Sequence, residues 1–191
     1  HPVGKNYDEM AEVPRESGKE VLMVFDTETT GLPSRNRKIR DDPFSWPRLV
    51  EAGWVLCTGD GGIISEESFL INPSGFEIPD QAFRIHGIST GFARDTGIEC
   101  ETALERFCTA AQQADFFVAH HLAFDIRIIL SELIRIKKRD LLPTIPGICT
   151  MSSSVKYCKI PGRYKKGLRN TSLAYLYSSL FETPVPCAHR A

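Results

Sequence analysis

An apolar run that ends in two carboxylates one residue apart restricts this chain more than any other feature. In VLMVFDTETTGLP, residues 21–33, Asp26 and Glu28 close what reads as a buried β-strand. Alternate residues of a strand project from the same face, so both acids point one way. Each raises the other's pKa unless positive charge intervenes. A metal ion, a shared proton or a nearby cation is therefore required beside this strand end.

With 191 residues, 42% of them hydrophobic and 25% charged, the chain suits one domain with a full core. No apolar run reaches the roughly 20 residues that cross a bilayer. The start, HPVGKNYDEMAEVPRESGKE, is polar and acid-bearing, unlike a signal peptide. The six cysteines show no CxxC pair and no zinc-ligand spacing, so they read as reduced packing residues of a cytoplasmic protein. A net charge of −1 leaves any nucleic-acid affinity to local patches.

Residues 1–19 read as an N-terminal extension and 20–191 as one folded domain. Three strands are expected first, in VLMVFD, RLVEAGWVLC and GGIISEESFLI, the last two joined as a hairpin through TGDGG. Helices follow in IPDQAFRIHGI and CETALERFCTAAQQAD, then a short strand in FFVAHH. AFDIRIILSELIRIKK predicts a helix whose basic last turn suits the macrodipole, PGICT a further strand and TSLAYLYSSLF a last helix. Three antiparallel strands followed by alternating helices and strands predict an α/β fold on a mixed sheet.

A third acid, Asp125, falls in the first turn of the helix that follows FFVAHH. Alone it reads as an acid favoured by the helix N-terminus. Together with Asp26 and Glu28 it forms an oxygen-only set of the kind that suits Mg²⁺ or Mn²⁺. The rival for DTETT is the aspartyl nucleophile of a phosphatase, but its partner acid is usually Asp, and no lysine and acidic-pair motif follows downstream.

FDTETTGLP resembles the first motif of the DEDD-type 3′–5′ exonucleases, the family of the proofreading subunit of bacterial DNA polymerase III. AHHLAFD resembles the second, usually His-Asn-x-x-Phe-Asp, with His120 on the family histidine and His121 in place of the asparagine. RIHGIS, around His86, is similar to the histidine-glycine-isoleucine element between them, and CAHRA to the opening of the third. This resemblance to the DEDDh group implies a ribonuclease H-like fold, with a mixed central sheet of three antiparallel and then parallel strands flanked by helices. It also implies two divalent ions, Mg²⁺ or Mn²⁺, held by Asp26, Glu28 and Asp125. His189 takes the family's general-base position, where an imidazole titrating near neutrality serves. The family's final metal-binding Asp is expected three residues beyond Ala191. By the same resemblance Leu32 packs on the terminal base, the backbone amide of Thr29 holds the terminal nucleotide, and His86 stands beside the substrate pocket.

Two segments are basic. KYCKIPGRYKKGLR, residues 156–169, carries six basic residues and no acid, with Tyr157 and Tyr164 interleaved, and RNRKIR spans residues 35–40. Each is a solvated loop or a clamp on strand phosphates, with a tyrosine available to stack on a base. The expected activity is exonucleolytic hydrolysis of single-stranded nucleic acid, DNA favoured over RNA, to nucleoside monophosphates. The expected partners are strand 3′ ends and a DNA polymerase subunit, with no membrane. A non-catalytic strand-binding or polymerase-adaptor module of the same fold is the alternative.

Overall fold

The structure, a computed structural model, describes residues 19–36, 41–162 and 167–186. His189, Cys187, Tyr164, Lys165, Lys166 and most of RNRKIR lie outside the described residues, as do the first 18 positions.

Strand β1 (Val21–Thr29) is the centre of a five-stranded sheet ordered β3-β2-β1-β4-β5. On one side β2 (Leu49–Thr58) and β3 (Ile63–Leu70) add as an antiparallel hairpin. The turn between them is closed by the amides of Thr58 and Gly61 donating to Gly62 O and Thr58 O. On the other side β4 (Phe116–Ala119) and β5 (Gly147–Cys149) run parallel to β1. A parallel neighbour requires a crossover. Three helices supply it: α1 (Asp80–His86), α2 (Thr90–Thr96) and α3 (Cys100–Ala111). The long helix α4 (Leu122–Arg135) connects β4 to β5, and α5 (Thr150–Ser153), α6 (Val155–Cys158) and α7 (Leu173–Phe181) follow.

Period-two patterning decides which face of β1 is covered. Val21, Met23, Phe25, Thr27 and Thr29 are buried, whereas Val24 and Asp26 are exposed. On the covered face Phe25 meets Phe107 of α3 and Phe117 of β4 edge-on, with centroids 5.2 and 5.6 Å away. Ile128, Ile129 and Leu133 of α4 complete this main core. Glu28 pairs with Glu51 but Thr29 with Leu49, so Val50 is an extra residue bulged from β2. Leu49 and Val50 are therefore both buried, Leu49 in the main core and Val50 in a second core with Leu70, Ile78, Ala82, Ile88 and Ala93. One bulge feeds two cores.

The five cysteines among the described residues are free thiols. Burial pushes Cys100 up to about 12 and Cys108 up to about 11, so both act as packing groups. The expected elements are found, with differences that have physical causes. Helix α2 spans seven residues, too few to show periodicity, and rests on the Ser89 hydroxyl accepting from the Phe92 amide. Strand β4 ends at Ala119, leaving His120 and His121 as the turn into α4. Helix α4 stops at Arg135, before the two lysines expected in its last turn.

That stop has a defined geometry. Lys138 N donates to Leu133 O at 2.8 Å and Lys137 N to Ile134 O at 3.1 Å, the paired bonds of a Schellman ending. The motif needs a left-handed residue, and Lys137 supplies it with φ of 59°. Lys138 is then drawn to Glu101 and Glu105 of α3. Glycine adopts the left-handed conformation without the Cβ clash. Lys137→Gly is therefore expected to raise stability by about 0.5–1 kcal/mol, read from the denaturation midpoint. A loss of stability would show that the lysine side chain, not the backbone, holds this corner.

Candidate active site

Asp26 is exposed on the face of β1 away from the main core, and Glu28 shares that face. Asp26 stands opposite Gly53 of β2, and Glu28 directly opposite Glu51. Glu51 accepts a hydrogen bond from the Ser68 hydroxyl at 3.1 Å. Like charges facing each other across a strand pair destabilise it. Glu51 is an acid beside this strand end that the motifs do not reveal. Only the β1–β2 register brings it opposite Glu28, and nothing in the spacing of RLVEAG announces this.

Asp125 arrives by a different route. Parallel pairing sets Val24 against Val118, so β4 ends beside the middle of β1 and α4 begins next to its acidic end. Thr27, between the two strand acids in sequence but on the opposite, buried face of β1, donates through Oγ1 to Asp125 Oδ1 at 2.7 Å. Asp125 is 2% exposed. Burial pushes its carboxyl up to about 7; the Thr27 bond opposes this, and the charge of Asp26 adds to it. Among the described residues no group of three His, Cys, Asp or Glu side chains is gathered at metal-ligating distance. Asp26 and Glu28 share one face, and Asp125 reaches the same strand end through Thr27.

This donor set has the chemistry, but among the described residues not the gathered geometry, of a site for a hard divalent cation. It consists of oxygen alone and carries surplus negative charge, including a buried carboxyl that a neighbouring cation would favour in its ionised form.

The backbone after the acids is tightly pinned. Thr29 Oγ1 donates to Gly31 O at 2.7 Å, and Gly31 has a φ of +151°, which side-chain-bearing residues rarely adopt. Thr30 and Arg48 bond reciprocally, Thr30 N to Arg48 O at 3.0 Å and Arg48 N to Thr30 Oγ1 at 2.9 Å. Leu32 beyond this turn is 85% exposed. His86 is buried at the end of α1, where its Nδ1 accepts from the Ile88 amide at 3.1 Å. Thr29 and Leu32 thus share the strand-end turn with the acids, whereas His86 belongs to the crossover.

His120 acts as a brace. Its Nδ1 lies 3.1 Å from Thr150 Oγ1 and its Nε2 3.0 Å from Thr171 O, which joins β4 to the segments that follow β5. The adjacent His121 ring stacks on Phe124 at 5.8 Å. On the same side as Asp26 a cleft of about 750 Å³ opens, lined in part by Val24, Trp54, Val118, His120 and Leu173. No helix among the described residues is long and apolar enough to cross a membrane.

Comparison with known proteins agrees with this arrangement. The sequence matches the Exonuclease family of the RNase T type over residues 23–191. DNA polymerase III subunit epsilon of Treponema pallidum is 31% identical over 172 residues, covering 88% of this chain and 68% of that protein. The epsilon subunit of Rickettsia conorii is 31% identical over 119 residues, covering 62% of this chain but 46% of that protein, so the matched part is about half of that relative. Among solved structures, E. coli Exonuclease I in complex with a 5cy-dA13 oligonucleotide superposes with a TM-score of 0.66 at 14% identity, covering 85% of this chain and 36% of that one. That likeness concerns the fold: a ribonuclease H-like mixed sheet with flanking helices. The chain belongs to the RNase T, or DEDD, family of 3′–5′ exonucleases, with distant homology to the epsilon subunits of DNA polymerase III.

Proposed function

We propose that this protein removes nucleoside monophosphates from the 3′ ends of single-stranded nucleic acid, DNA in preference to RNA, with Mg²⁺ or Mn²⁺. The observation that carries the reading is the hydrogen bond from Thr27 to Asp125, which ties a buried acid to the strand end bearing Asp26 and Glu28. In this reading Asp26, Glu28 and Asp125 hold two divalent ions, which supply Lewis-acid stabilisation and a water of lowered pKa. Asp125 is buried and directed by its bond from Thr27. His189 takes the proton of the attacking water. The exposed Leu32 packs on the terminal base and the Thr29 amide holds the terminal nucleotide, with His86 beside the substrate pocket. The epsilon relatives are named as polymerase subunits, so a DNA polymerase is the proposed protein partner.

The experiment that tests the reading is digestion of a 3′-recessed and a single-stranded oligonucleotide with Mn²⁺ present. Stepwise shortening from the 3′ end is expected, abolished by excess chelator and by Asp26→Ala. The variant is expected to keep its fold, because removing Asp26 relieves repulsion on Asp125. Tight strand binding without cleavage in any divalent ion would instead favour the adaptor module.

The basic segment yields a second test. Neutralising Lys165, Lys166 and Arg169 is expected to raise KM on single strands and reduce the salt slope of binding, with each lost phosphate contact flattening it by roughly 0.7. Turnover at saturation is expected to change less, because these cations hold ground and transition states alike. An unchanged slope would return the segment to a solvated loop.

The third test is the pH dependence of stability without metal. Asp125 keeps its proton in the folded chain to about 7 but loses it near 3.8 once unfolded. Between those values the folded state binds more protons, so this group's contribution to stability falls as pH rises and is lost above about 7. Asn at this position still accepts from Thr27 but never ionises. The stability advantage of Asp125→Asn over the parent is therefore expected to grow by about 2–4 kcal/mol between pH 5 and pH 8. An advantage that is constant with pH would show that Asp125 ionises freely in the folded chain.

A further inference from the structure

Glu132 is a carboxylate 1% exposed, two helical turns beyond Asp125 on α4. Its Oε1 receives Arg48 Nε at 2.8 Å and the Leu49 amide at 3.0 Å, and Arg135 Nη1 lies 3.0 Å from the same atom. Arg48 is itself fixed on two further sides. Its guanidinium lies 4.3 Å from the Phe76 ring centroid, and its backbone exchanges two hydrogen bonds with Thr30, directly after the strand acids. Arg135 Nη2 also donates to Trp46 O at 2.7 Å and to the carbonyls of Pro43 and Phe44, so the segment before β2 is held to the same helix.

Stability alone gives little reason for such a cluster, since a buried ion pair often does no better than an apolar residue of similar volume. What a carboxylate does that an apolar group cannot is accept from two chain segments at one point with fixed geometry. Seven residues separate Asp125 from Glu132, so both face the same side of α4, roughly 10 Å apart along its axis. Asp125 bonds to the middle of the acidic strand end, and Glu132 to the segment that locks Thr30. Two attachments on one helix face set both its height and its rotation.

We propose that Glu132, through Arg48, is a positioning residue that sets where Asp125 stands relative to Asp26 and Glu28. Glu132 touches neither substrate nor metal. Its effect runs through α4 at one end and through Arg48 and Thr30 at the other. The inference rests on the exonuclease reading above, and its test is arranged so that the two fail separately.

The experiment compares the parent with Glu132→Gln and Arg48→Met. Gln retains an oxygen for the Leu49 amide but lacks the charge that both arginines need. In the metal-free protein, the ¹H–¹⁵N resonances of Thr27 and Asp125 are expected to shift in both variants. Mn²⁺ affinity by calorimetry is expected to fall about tenfold and kcat on a single strand about 10–100-fold. KM is expected to stay within about twofold, because no strand contact is lost. Should Glu132→Gln not fold, Arg48→Met carries the same measurements at a side chain 30% exposed. A lowered melting temperature with unshifted Thr27 and Asp125 resonances, and with parental Mn²⁺ affinity and kcat below the transition, would overturn the proposal and leave Glu132 a stabilising ion pair. A parent that cleaves no strand would defeat the exonuclease reading alone, since the metal-free resonances still decide the positioning role.

Discussion

Parallel pairing between β1 and β4 carries the rest of this molecule. Three residue pairs, Leu22 with Phe116, Met23 with Phe117 and Val24 with Val118, fix where β4 ends against β1. Because β4 stops at Ala119 and α4 starts at Leu122, that register also fixes where the first turn of α4 lies. A shift of one residue would turn Phe117 out of the core and carry Asp125 away from Thr27. The aromatic contacts of Phe25 with Phe107 and Phe117 hold the register from the covered face, each edge-on geometry adding about 0.5–1.5 kcal/mol beyond area burial. Packing on the covered face thus sets where Asp125 meets Thr27, beneath the strand end whose other face carries Asp26 and Glu28.

The two buried acids of α4 are handled in opposite ways. Glu132 is surrounded by a backbone amide and two arginines, so its charge is met on several sides. Asp125 has a hydroxyl partner in Thr27, while the neighbouring charge of Asp26 is of the same sign. Its carboxyl is accordingly pushed up to about 7. Functional sites concentrate carboxyls perturbed in this way.

Much of this is legible in the order of the residues. Asp26 and Glu28 stand on one face of β1 because period two leaves no other choice once Val21, Met23 and Phe25 are buried. The first-turn position of Asp125 follows from the apolar periodicity of α4 and is found there. Other features are hidden. Helix α2 and the short helices after β5 contain too few turns for a repeat to emerge. The end of α4 falls earlier than its periodicity suggests, because Lys137 occupies a left-handed position where glycine would have signalled the stop. Glu51 and Glu132 carry no local signature, since each acquires its meaning from a residue more than twenty positions away.

By itself the sequence determined the order of the strands and longer helices, the family, and which side of β1 its acids take, because these follow from periodicity and from short contiguous motifs. Only the tertiary structure decided that Thr27 would hold Asp125, that Glu28 would face Glu51 and that Glu132 would clasp Arg48. Those pairings span 98, 23 and 84 residues of chain. Contacts of that separation depend on register and on the bulge at Val50, which are settled by how two cores fill at once rather than by any local preference.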